Sequence, residues 1–158
     1  DAELRREVQA RGVAPERLVC MPFAQMSDHL RRLGAADLAL DSWPCNGHTT
    51  TSDALWAGVP VVALRGETFA GRVSESLLCA IGLAELVCDT PQAYVELVCA
   101  LAADPARLAA LRARLAQARD TSPLYDAARF AGDLEALYER MWARCQAGQA
   151  PQDLPAAG

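Results

Sequence analysis

His48, Thr49, Thr50 and Thr51 stand together in the segment LALDSWPCNGHTTTSDALWAGVP, behind a short apolar stretch and a polar turn and ahead of a helical pattern. A helix that opens this way is suited to binding an anion. Its first turn leaves about four backbone N–H groups without partners and carries roughly half a positive charge of macrodipole. No acid fills those first positions; the first carboxylate is Asp53, one turn in. Thr49 lies four residues before Asp53 and Thr50 three, so the side chains share a face and one ligand can touch all of them. A plain capping role stays open beside this: Thr50 as the cap, with Asp53 as a weak capping-box partner.

These residues need a scaffold, and the hydrophobic pattern supplies one. It predicts helices over 2–11 and 27–33, strands over 17–21, 38–40, 61–64 and 86–88, and a helix over 68–81 closed by Gly82. Strands alternating with helices imply a parallel sheet covered on both faces, an α/β fold. In such sheets ligands bind beyond the carboxyl ends of the strands. The first strand leads through Pro22, Phe23, Ala24 and Gln25 to His29, with Arg31 and Arg32 behind it, and the second through Asn46 and Gly47 to His48. Both histidines therefore fall on the binding edge, and Gly66-Glu67-Thr68 ends a third strand.

The remainder reads as helical, with starts at Thr90-Pro91, Asp104-Pro105 and Ser122-Pro123, each a capping residue followed by Pro in the first turn. In the last helix Phe130, Leu134, Leu137 and Met141 recur at helical spacing with Tyr138 and Trp142 beside them, a stripe expected to pack. Residues 1–146 are expected to form the domain and 147–158, rich in Pro, Ala and Gly, a disordered tail.

Composition narrows the function classes. The 158 residues are 52% hydrophobic and 22% charged, enough for one compact domain, and no apolar run reaches the roughly 18 residues of a membrane span. The start DAELRREVQARG is charged and amphipathic, unlike a signal peptide, so the expected compartment is the cytoplasm. Cys20, Cys45, Cys79, Cys88, Cys99 and Cys145 form no C-x-x-C pair and mostly sit in apolar stretches, as buried thiols of a reducing compartment do. Two histidines without a His/Cys cluster argue against a metal centre. A net charge of −5, with no lysine and no basic run, argues against nucleic acid as partner.

The segment DHLRRLGAADLALDSWPCNGHTTTSDALWAGVPVVALRGETFAGRVSESLL, through C-N-G-H-T-T, D-x-L-W-x-G-x-P and G-E-T-x-A-x-R-V, resembles the C-terminal catalytic half of the O-linked N-acetylglucosamine transferase family, with similarity over about 12–142. The resemblance implies part of the C-terminal, Rossmann-like half of a glycosyltransferase-B fold, ending in a helical segment. It implies a cytoplasmic enzyme that transfers N-acetylglucosamine from its uridine diphosphate donor to serine and threonine of proteins, with inversion and without metal or other cofactor.

On the same basis Thr49 and Thr50 bind the donor diphosphate, and His48 lies beside diphosphate and sugar, where it contributes electrostatically to catalysis. Asp53 binds the ribose hydroxyls, His29 packs on the uracil, Arg32 lies near that base and the Ala24 backbone meets its edge. Charge-assisted bonds of this kind contribute about 1.5–3 kcal/mol each. Met26 stands where some members carry a lysine. The first strands of this half with their diphosphate-binding lysine, the N-terminal half, and the tetratricopeptide repeats that recruit protein acceptors are expected to lie outside these residues, leaving a fragment inactive alone. Two other readings stay open: transfer of fucose from guanosine diphosphate fucose by related proteins, and a non-catalytic nucleotide-binding or interaction module.

Overall fold

The computed structural model describes residues 2–155, so the end of the expected tail, 156–158, lies outside the described residues. Three parallel strands carry the fold: β1 (Ala39–Leu40), β2 (Val61–Leu64) and β3 (Val87–Cys88), in the order β1-β2-β3. Ala39 pairs with Val61 and Leu40 with Val62; Ala63 pairs with Val87 and Leu64 with Cys88. All four residues of β2 are buried, which explains why its sequence VVAL is continuously apolar instead of alternating.

Helix α3 (Thr49–Trp56) joins β1 to β2, α4 (Val73–Ala80) leads from β2 towards β3, and α5 (Pro91–Ala102) returns from β3 to pack on β2. Leu55 from α3, Leu78 from α4 and Leu101 from α5 meet Val62 in one core, joined by Leu111 and Leu115 of α6 (Pro105–Ala118). At the end of α3, Gly58 takes the left-handed conformation (φ 78°), its N–H donates to Leu55 O and the Val59 N–H to Ala54 O. This paired closure turns the chain directly into β2. The expectation of a parallel α/β sheet flanked by helices is met.

Several boundaries differ from those the pattern predicts. Residues 17–21 form no strand: a 3-10 turn, Pro15–Arg17, is followed by a segment without a ladder partner among the described residues, leaving Phe23 94% exposed. A strand exists only where its backbone finds an edge, and apolar composition alone does not supply one. The helix expected over 68–81 begins at Val73, because Thr68 Oγ1 accepts the Gly71 N–H and the Gly66 N–H donates to Gly71 O, closing a turn first.

Thr90 and Asp104 cap α5 and α6 as expected, through the N–H groups of Ala93 and Arg107. Ser122 instead opens the single 3-10 turn Pro123–Tyr125, and α7 (Ala127–Gln146) starts under an Asp126 cap. The α7 stripe does not pack as expected: Phe130, Tyr138, Met141 and Trp142 are exposed, and only Leu134 and Leu137 are half-buried. Helical period identifies an apolar face without identifying what covers it.

Helices α1 (Ala2–Ala10) and α2 (Met26–Leu33) precede the sheet. Of the six thiols only Cys88 is buried; Cys20, Cys45, Cys79, Cys99 and Cys145 are exposed, contrary to the expectation of buried thiols. Apolar neighbours in sequence left their side chains on the outer faces. Among the described residues no helix is long and apolar enough to cross a membrane.

Candidate functional site

The loop between β1 and α3 is held by side chains along its length. Ser42 Oγ donates to Cys45 O at 2.7 Å, and the buried Asn46 donates through Nδ2 to Ser42 O at 3.1 Å and Leu64 O at 3.4 Å. Asp41 Oδ1 accepts the Gly47 N–H at 2.7 Å, and Tyr94 Oη donates to Asp41 O at 3.1 Å. Burial, with the nearby Asp41 charge, pushes the Tyr94 phenol up.

His48 occupies the cap position of α3 with no side-chain capping bond, and the first turn contains no acid. Thr50 therefore is not the helix cap, and the plain-cap alternative does not describe this helix start. The three threonines divide into two kinds. Thr49 and Thr50 are exposed, whereas Thr51 is buried, with Oγ1 3.0 Å from the buried Ser74 Oγ. Ser74 Oγ also reaches Gly47 O at 3.1 Å.

One turn along α3, Asp53 is half-buried and its Oδ2 lies 3.9 Å from His29 Nε2 on α2, which packs against α3. An open cleft of about 750 Å³ lies between these helices and the preceding loop, lined by Phe23, Ala24, Met26, His29, Arg32 and Asp53 among others. Arg32 Nη1 donates to Pro22 O at 2.7 Å, tying that loop to α2. Ala24, His29, Arg32 and Asp53 thus share one cleft. His48, Thr49 and Thr50 do not line it; they form the helix start one turn from Asp53, with the His48 ring edge-on to Phe69 at 6.3 Å.

Beyond β2, Arg65 bridges Glu75 at 2.7 Å and Asp89 at 2.6 Å, and Arg72 Nε meets Glu75 at 3.3 Å. Burial pushes the Glu75 carboxyl up, but hydrogen bonds from Arg65 and Arg72 outweigh it and hold the group below its ordinary range. The sequence motifs do not single out Asp41 or Ser74. Asp41 sits at a strand end, a readable position, whereas Ser74 acts on a residue 27 positions away and leaves no local signal. Among the described residues no group of three or more His, Cys, Asp or Glu side chains is placed to hold a metal ion.

The family model described as Glycosyl transferase family 41 matches residues 1–134. A Caenorhabditis elegans protein named UDP-N-acetylglucosamine--peptide N-acetylglucosaminyltransferase is 40% identical over 148 residues, which cover 94% of this chain and 13% of that protein. An Arabidopsis thaliana protein with the same name marked probable is 39% identical over 153 residues, covering 96% of this chain and 16% of its own length. The solved structure of a Thermobaculum terrenum O-GlcNAc transferase mutant superposes with a TM-score of 0.84 at 39% identity, over 93% of this chain and 28% of that one. The chain therefore spans only 13–16% of the length of these two curated relatives.

Proposed function

The chain belongs to glycosyl transferase family 41, and from that membership we propose that it forms the nucleotide-binding part of a protein O-glycosyltransferase. The donor is uridine diphosphate N-acetylglucosamine and the acceptor a peptide, the pair named for the relatives, and the acceptor groups in this reading are serine and threonine hydroxyls. The observation that carries this reading is the order of groups along α2 and α3: exposed Thr49 and Thr50 at a helix start without an acid, Asp53 one turn on, and His29 3.9 Å from Asp53 at the cleft. A diphosphate, a ribose and a base are joined in the same order.

In this reading the acceptor hydroxyl oxygen attacks the anomeric carbon as the bond from that carbon to the diphosphate oxygen breaks, with inversion; the electron pair leaves on the diphosphate and the hydroxyl proton is released to water. The free N–H groups of α3, the Thr49 and Thr50 hydroxyls and His48 stabilise the charge that develops there. That contribution replaces the one a divalent cation makes in metal-dependent transfer, so neither metal nor other cofactor is required. His48 acts electrostatically and as a hydrogen-bond donor, not as the base. Protein acceptors are recruited by tetratricopeptide repeats outside these residues, which alone do not transfer sugar. Five exposed free thiols fit a reducing compartment, and the cytoplasm is the proposed one.

Calorimetric titration of uridine diphosphate and of guanosine diphosphate into the full-length protein tests the donor. Uridine diphosphate is expected to bind; preference for the guanine nucleotide, or binding of neither, overturns the proposal. Thr50→Val and Asp53→Ala are each expected to weaken donor binding about tenfold or more, on the order of 1.4 kcal/mol. Unchanged affinity in both removes the site assignment.

A further inference from the structure

Gly47, the residue before His48, has both of its peptide groups taken by side chains from other elements. Its N–H donates to Asp41 Oδ1 at the end of β1, and its C=O accepts from Ser74 Oγ on α4, at 2.7 and 3.1 Å. A Cβ on Gly47 would lie 2.5 Å from Thr51 Oγ1 and 2.6 Å from Thr50 Oγ1, so the glycine is pressed beneath two hydroxyls that would both have to shift for any larger residue. The peptide before it is fixed as well, with the Asn46 N–H on Ala70 O at 2.9 Å. Asp41 is rigid in turn, its N–H on Val62 O at 3.0 Å and its C=O receiving Tyr94 Oη.

The choice of a carboxylate here runs against local electrostatics. A negative charge stands one residue from the helix start assigned to a diphosphate, and its second oxygen, Oδ2, is buried without a hydrogen-bond partner among the described residues. Both features cost free energy. A charged acceptor, however, holds a backbone N–H more firmly than a neutral one, and a loop fixed before the ligand arrives does not have to be ordered on binding. Holding Gly47 also directs its N–H inward, leaving the donors of the α3 start for the ligand.

Resting on the nucleotide reading above, we propose that Asp41 is a positioning residue: with Ser74 on the opposite side, it clamps Gly47 so that the first turn of α3 is preset to receive the diphosphate. The test uses the full-length protein, titrated calorimetrically with uridine diphosphate and with uridine. Asp41→Ala is expected to bind uridine diphosphate at least about tenfold more weakly while uridine affinity stays unchanged, because only the phosphates meet the clamped turn. Asp41→Asn, which keeps an acceptor for the Gly47 N–H but not its charge, is expected to bind uridine diphosphate more weakly than wild type and more tightly than Asp41→Ala.

Equal losses for both ligands in Asp41→Ala, tighter uridine diphosphate binding, or an Asp41→Asn as weak as Asp41→Ala overturns the clamp. If Asp41→Ala does not fold, Ser74→Ala must show the same split between the ligands, and its absence is equally decisive. A wild-type protein that binds neither ligand removes the nucleotide reading instead. The clamp is then judged by amide exchange of Gly47, which Asp41→Ala must accelerate more than Asp41→Asn does.

Discussion

At the scale of single residues, chemically identical side chains separate by what surrounds them. Thr49, Thr50 and Thr51 are equivalent in sequence, yet Thr51 is consumed by its contact with Ser74 and only the other two face outward. Tyr125 shows the converse, a polar group buried without use. Its ring meets Trp56 edge-on at 5.0 Å, Arg119 lies over the same Trp56 ring at 5.4 Å, and its hydroxyl is buried without a partner among the described residues. Burial first, and the charge of Asp53 second, push the phenol from 10.0 up to about 12. Because this folded-state value is raised, the associated stability is complete below pH 10 and is lost as pH rises through about 12. Tyr125→Phe removes the unpartnered hydroxyl and keeps the ring, so it is expected to raise stability by about 1 kcal/mol and to flatten the alkaline loss. Urea denaturation midpoints at neutral pH and above pH 10 check both; a less stable variant contradicts the assignment.

Among the elements, those specified by neighbouring residues were legible and those made by distant partners were not. Val61, Val62, Ala63 and Leu64 declare a buried strand, and Thr90 and Asp104 each cap the helix that follows by accepting the N–H three residues ahead, all within a local window. The stretch 17–21 has the composition of a strand but no ladder partner among the described residues, and Thr68 diverts the start of α4 into a turn. Nothing local announces the ion pair from Arg65 to Glu75, which joins the end of β2 to α4, whereas Arg72 and Glu75 stand at the local i,i+3 spacing of a helix start. Their effect is testable through pH. The Glu75 carboxyl lies below 4.5 in the folded protein, so its contribution is present above that ordinary value and is lost as pH falls through the lowered one. Glu75→Gln is expected to be less stable than wild type at neutral pH by up to about 1 kcal/mol, and to lose less on acidification from about pH 5 to about pH 3. Parallel acid limbs for the two proteins in denaturant titrations would show that the pairs add nothing.

For the molecule as a whole, the α/β layering was readable because it follows from the alternation of elements, whereas His29 meets Asp53 through the packing of α2 on α3 and not at the end of the strand expected before it. What the pattern could not reveal is which apolar faces meet. Leu78 and Trp142 both lie on helices with apolar faces, yet Leu78 is wholly buried against the sheet while Trp142 is 63% exposed. Burial, and not helical period, therefore decides what each contributes. Leu78→Ala leaves a cavity in the fully buried core and is expected to cost about 2–5 kcal/mol. Trp142→Ser removes a larger apolar side chain from a surface and is expected to change stability by no more than about 0.5 kcal/mol. Urea unfolding of this 158-residue chain followed by circular dichroism separates the two. A large loss for Trp142→Ser would mean that the α7 stripe packs within the chain after all, and a small one for Leu78→Ala that the core lies elsewhere.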